Sequence, residues 1–345
     1  MKKFLYLLIT LSLIVFGCAK ANDPYQEEHK MKVIHSFTTQ GDPIQVDTSE
    51  DMLFIADDYA GYHIYNLNSG ALIKSANSYL YAGVPAPIQA KLIYYHKYTN
   101  TMFLLNRLLL GANWNLEVYS LDNLPSQTFL TYSSGDTVDL TNIVFTPSDT
   151  TTANSYCYRG VRKENKIKFS HVSFDTQLLH DKKEVQTNPQ PQRIEVADNH
   201  IFTAYGQVGI TISEKETLAE VNSFDTPGYA MDVKVKDNYA YIADKQAGFH
   251  VYKLDDAMNA TKVYTYDTEG YAENVAVRGN YAAVSSTSGG VYLFDISNPD
   301  NPKMIDRLPM SQIGYVNNVH FSQYGNEKIL YVVSREKGVL KIQID

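Results

Sequence analysis

The chain has 345 residues, a formal charge of -8 and two cysteines. An acidic balance without basic clusters argues against a nucleic-acid partner. Twenty-seven tyrosines, dense Gly/Asn/Asp turns and little apolar spacing of three and four point to an all-β fold.

In chain order, Lys2 and Lys3 precede an apolar run from Phe4 to Phe16, which has the length of a secretory h-region and is short for a membrane span. The run ends in Val15-Phe16-Gly17-Cys18, which resembles the bacterial lipobox, although Phe16 is bulkier than the usual residue there. The resemblance implies a leader over 1–17, acylation of Cys18 and a lipid anchor, for example palmitate. Ala19 in place of Asp after the cysteine implies the outer membrane by analogy. Residues 18–30 are polar and read as a lipidated tether. If Cys18 carries lipid, Cys157 has no disulfide partner, and its setting in Tyr156-Cys157-Tyr158 reads as a buried small residue.

Residues 31–345 carry an internal repeat of about 44 residues. Pro227-Gly228-Tyr229-Ala230-Met231-Asp232-Val233 is echoed by Glu269-Gly270-Tyr271-Ala272-Glu273-Asn274-Val275 and by Gly314-Tyr315-Val316-Asn317-Asn318-Val319. The tyrosines recur 42 and 44 residues apart. Leu53 to His63 matches Ala240 to His250 at an offset of 187. Each unit reads as four short strands joined by hairpin turns, which is a propeller blade. Starts near Gly41, Ala82, Val138, Pro191 and at the three tyrosine segments make seven. The last unit stops after its third strand, and Met31 to Phe37 resembles the missing fourth. The expected fold is therefore a seven-bladed β-propeller of four-stranded antiparallel blades, with its ring closed by the N-terminal strand. The polar insert Ser148 to Asn154 reads as a surface extension.

Val291-Tyr292-Leu293-Phe294-Asp295-Ile296-Ser297-Asn298-Pro299-Asp300-Asn301-Pro302, with Gly279-Asn280-Tyr281-Ala282 and Asp237-Asn238-Tyr239-Ala240, resembles the LVIVD repeat of bacterial and archaeal surface proteins. The resemblance is good in blades five and six and partial in blades one and seven. It implies an extracytoplasmic propeller and brings no catalytic residues with it.

Aligning the units places Gln45, Gln89, Asn142, Arg193, Asp232, Asn274 and Asn318 in one polar column at the start of the first strands, where they would ring the channel mouth. A second column ends the second strands: Asp57, Asn106, Tyr205, Asp244, Ser286 and Ser334, with Arg159 as its loosest match. Both lie on one face, because consecutive strands are antiparallel. Such rings either bind a ligand or tie channel-side backbone groups together. Arg193 and Asp232, on adjacent blades, are candidates for an ion pair. Tyr229, Tyr271 and Tyr315 either stack on a ligand or pack between blades.

No zinc spacing, EF-hand, phosphate loop or nucleophile elbow occurs, so no metal or cofactor is expected. His63 and His250 hold equivalent positions on distant blades, and the Asp57-Asp58 pair falls in a turn and reads as solvated. The reading that follows is a non-catalytic, lipid-anchored envelope scaffold whose polar face binds an envelope or surface protein, or a glycan. The competing readings are a propeller hydrolase or lyase acting on glycans, and an outer-membrane assembly factor.

Overall fold

A computed structural model describes residues 29–81, 84–97, 99–107, 114–125, 128–133, 140–147, 155–172 and 179–345. Cys18, the leader, the tether up to 28 and the insert 148–154 lie outside these residues. The described strands form seven four-stranded sheets and one two-stranded hairpin. The first strands of the seven blades are Gln45–Thr48, Ala90–His96, Leu140–Pro147, Arg193–Ala197, Asp232–Lys236, Ala272–Arg278 and Val316–Phe321. They neighbour one another in a ring, and each begins a meander of antiparallel strands running outward.

Local chemistry explains the turns. In blade 5, strands Asp232–Lys236 and Tyr239–Ala243 meet at Asp237 and Asn238, both with positive φ (50° and 58°), the backbone of a two-residue hairpin turn. A second device repeats across blades. Gly61, Gly209, Gly248, Gly290 and Gly338 open the third strands with φ between 74° and 87°. A Cβ at any of them would collide with the carbonyl of Ala76, Phe224, Tyr266, Leu308 or Phe37, respectively. In these five blades the end of the fourth strand passes where a Cβ would stand, so the position requires glycine. Every fourth strand also carries a register shift against the third, which adds twist toward the rim.

The ring closes as expected. Met31–Phe37 pairs antiparallel with Gly338–Ile344, from Met31 against Ile344 to Phe37 against Val339, and completes blade 7. Asp306 of blade 6 receives the Met31 N–H (2.6 Å) and the His29 ring (2.9 Å), pinning the start of that strand. The core is divided: seven buried clusters each join one pair of neighbouring blades. Cys157 is fully buried in the cluster between blades 2 and 3, as its setting in sequence implied.

Unforeseen in sequence is the hairpin Ser78–Tyr81 and Val84–Pro87, inserted between blades 1 and 2 and outside both blade sheets. Blade 2 therefore starts at Ala90, not near Ala82.

Candidate functional site

At the channel mouth, each first strand hands a side chain to the next blade. The Gln45 amide oxygen accepts the Ile93 N–H (2.7 Å) and the Asn142 oxygen accepts that of Ile194 (3.0 Å). Asp232 accepts that of Val275 (3.2 Å), and Asn274 Nδ2 and Asn318 Nδ2 continue the chain toward Asp232 and Asn274. The polar column is thus largely a belt of ring-closing hydrogen bonds.

Two of its members need correction. The belt position in blade 2 is Leu92, opposite Leu105, and Gln89 lies three residues earlier, where it donates to Asp58 (2.7 Å). The likeness of Pro87-Ile88-Gln89 to Pro43-Ile44-Gln45 misled the alignment because the inserted hairpin ends at Pro87. Tyr94, one layer deeper, substitutes for the missing polar group by accepting the Ile143 N–H through its hydroxyl (3.2 Å). The second correction concerns Arg193 and Asp232, which form no ion pair among the described residues. Asp232 instead caps its own strand at Val233 (2.9 Å) and reaches blade 6.

The second column does other work. Asp57, fully buried, accepts the N–H groups of Gln40 and Gly41 (3.0 and 2.9 Å) and faces His63 Nε2 (2.8 Å). Asp244 repeats this with Thr226 Oγ1 and the Gly228 N–H (both 2.8 Å) and with His250, whose other nitrogen meets Thr265. Asp57 is therefore not the solvated turn residue expected from sequence, whereas Asp58 pairs with Lys91 (2.8 Å). Asn106 receives the Gln89 N–H and donates to Glu117, Ser286 donates to the Glu269 carbonyl, and Ser334 accepts the Lys337 N–H. Tyr205 is buried between blades 3 and 4. In blades 1, 2, 5 and 6 this column clamps the entering loop to the blade's own strands, whereas Ser334 holds the turn that follows its own strand. Arg159 does not belong to it: register puts Val161 at that position, and Arg159 points instead to Ser170 and Asp181.

Below the mouth lies a layer that sequence reasoning missed: Asp47, Tyr94, Glu195, Lys234 and His320, two residues further along their strands. The alternation of the first strands was the signal that pointed there. Lys234 pairs with Glu195 (2.6 Å) across the seam between blades 4 and 5. Between 17% and 31% of the Asp47, Glu195, Lys234 and His320 side chains stays accessible, which marks open space along the axis. Burial nevertheless pushes the Asp47 carboxyl up to about 7, although Tyr95 and Thr48 donate to it. Burial, with Lys234 and Arg278 nearby, pushes His320 down to about 4.

Around the mouth, on the same face, Tyr59 and Tyr271 are 66% and 53% exposed. Lys245 caps the Tyr229 ring (4.3 Å) and Arg335 the Tyr315 ring (4.9 Å). Tyr229 also packs on Gly206 of blade 4, where a Cβ would strike its ring.

The model of the LVIVD repeat matches residues 227–252 and 269–308, which form most of blades 5 and 6. The chain carries LVIVD repeats. Seven blades and LVIVD repeats together agree with the LVIVD β-propeller family. No curated protein matches the chain. Among solved structures, the RRP9 WD40 repeats superpose with a TM-score of 0.70 at 10% identity, covering 91% of this chain and 97% of that one. A chain of the mitotic checkpoint complex gives 0.70 at 10% identity, covering 94% and 95%. The computationally designed Ika8 protein gives 0.59 at 9% identity, covering 91% and 98%. At these identities the likeness is one of fold.

Proposed function

We propose that this LVIVD-repeat propeller is a non-catalytic scaffold, held at a bacterial cell envelope by lipid on Cys18, that binds a protein partner through its mouth face. The observation that carries this reading is the rim of exposed or cation-capped tyrosines: Tyr59, Tyr271, Tyr229 with Lys245, and Tyr315 with Arg335. Tyrosine and arginine are the residue types that dominate binding hot spots. Topology supports display as well. Phe37 ends its strand beside Gly338 at the mouth face, so Met31 begins that strand at the opposite face. An anchor at Cys18 would therefore leave the mouth turned away from the membrane.

The test compares capture of envelope proteins by the wild type, by Tyr271→Ala with Arg335→Ala, and by Lys253→Ala elsewhere on the ring. A loss of about tenfold or more in capture of one partner is expected for the mouth variant alone. Equal capture by all three overturns the mouth-face reading. Separately, Cys18→Ser should move the protein to the soluble fraction, and unchanged membrane association rejects the anchor.

A further inference from the structure

We infer that the inserted hairpin is a strand-addition site on the mouth face, where an uncharged extended segment of the partner pairs with the free edge of Ser78–Tyr81; this deepens the mouth-face reading and rests on it. The hairpin stands beside the rim. Ala76, which ends the outermost strand of blade 1, lies against Gly61 and Tyr62 at the mouth end of the third strand, and the chain passes through Asn77 into the hairpin. On its return, Ile88 is buried between blades 1 and 2, and Gln89 donates to Asp58, next to the exposed Tyr59. Tyr79 packs on the same cluster, which fixes the hairpin at its base.

The pairing decides which backbone groups point outward. Ser78 faces Pro87 and Leu80 faces Pro85, and one step below them the Ile88 N–H donates to the Asn77 carbonyl (2.8 Å). In an antiparallel ladder, hydrogen-bonded pairs alternate with pairs whose N–H and C=O groups turn away from each other. Asn77 with Ile88 is of the first kind, so Ser78 with Pro87 and Leu80 with Pro85 are of the second. On the returning strand both outward positions are therefore prolines, which lack an N–H, and that edge is blunted. On Ser78–Tyr81 both outward positions keep donor and acceptor, and none of the described residues takes them. No charged residue stands between Lys74 and Lys91 to repel an incoming chain.

This asymmetry selects the occupant. Donors and acceptors at alternate residues match an extended main chain, whereas a helix has already paired its own groups. A two-stranded hairpin is marginal alone and gains from a third strand. A second copy of this chain is the poorer fit, because two molecules of formal charge -8 repel. A four-residue edge also buries far less than the roughly 1,200 Å² of a stable contact, so it acts as one part of a larger interface. The neighbouring tyrosine rim supplies the rest.

The test titrates the mature protein with an uncharged, capped hexapeptide of alternating threonine and valine, and with the same peptide N-methylated at every residue. The plain peptide should slow amide hydrogen exchange at Ser78 and Leu80 by about fivefold or more, and the methylated one should not. Ser78→Pro with Leu80→Pro costs no bond inside the hairpin and should leave the melting curve unchanged. It should weaken the plain peptide, and capture of the mouth-face partner, by at least about tenfold. Pro85→Ala with Pro87→Ala should weaken neither. No protection at Ser78 and Leu80, equal binding of the methylated peptide, or a peptide affinity within about twofold of wild type in the proline pair each overturns the assignment. A wild-type dimer in sedimentation that the proline pair dissolves gives the edge to a second copy and overturns it too. If capture through Tyr271 and Arg335 survives the proline pair unchanged, this inference falls and the mouth-face reading stands.

Discussion

At the scale of single residues, three buried groups make predictions that exposure alone would not suggest. The Cys157 thiol is pushed up to about 12 by burial, only partly offset by Arg159. A thiol so poor in thiolate is inert, so iodoacetamide should leave Cys157 unmodified in the native protein and alkylate it in denaturant; rapid native alkylation would contradict its placement. Asp47 and His320 titrate in opposition. Between about pH 4 and 7 the native Asp47 holds a proton that the unfolded chain has released, so stability falls as pH rises. His320 is the reverse: below 6.5 the unfolded chain takes up a proton that the native state refuses until about 4, so stability rises with pH across that window. The two slopes largely cancel in the wild type. Relative to the wild type, urea unfolding at pH 5 and pH 7 should show His320→Gln shifted toward losing stability with rising pH and Asp47→Asn shifted toward gaining it, by up to about 1.4 kcal/mol per unit. His96, also held near 4, is common to all three proteins and drops out of the comparison. Parallel pH profiles for wild type and both variants would refute the opposition.

At the scale of elements, blades 1 and 5 are held by the same clamp. Asp57 with His63 and Asp244 with His250 are the same device 187 residues apart. Asp244→Ala removes the acceptor for Thr226 and Gly228 in a site without solvent and should cost about 1–3 kcal/mol, measured by denaturant midpoint. A cost within a few tenths of a kcal/mol would show that the loop is held by other contacts. Gly206→Ala tests the seam between blades 4 and 5. It forces a side chain onto φ +61° and into the Tyr229 ring, so a loss of about 2 kcal/mol or more is expected, and a neutral result would displace Tyr229 from that seam.

At the scale of the whole molecule, stability depends on closing a circle from both chain ends. Phe37, 1% exposed, belongs to the cluster joining blades 7 and 1, with Val46, Tyr65 and Val339. Phe37→Ala should cost about 3–5 kcal/mol by calorimetry and bare the strand edge of Gly338–Ile344, so that aggregation accompanies unfolding. A loss below about 1 kcal/mol would show that the ring stays closed without this packing. The RRP9 WD40 repeats share this fold at 10% identity.

The sequence by itself determined the blade count, the strand grammar and the closure, because a blade is a local hairpin series: Asp237-Asn238 turns, period-two strands and a recurring glycine are legible one unit at a time. It also placed the mouth column in six blades of seven, with Gln45, Arg193, Asp232 and Asn274 each seven residues before the second strand and Asn142 and Asn318 set further back by longer turns. It failed at Gln89, where an inserted hairpin broke that spacing. What only the tertiary structure decided is which of those polar groups are committed. Hydrogen bonds between blades join residues some 43–52 apart in sequence, as in Asn142 with Ile194 and Asp232 with Val275, and no local pattern encodes whether a side chain finds its partner. The charged layer of Asp47, Glu195, Lys234 and His320 was hidden for the same reason. Four unlike residues make no motif until seven strands bring them to one axis.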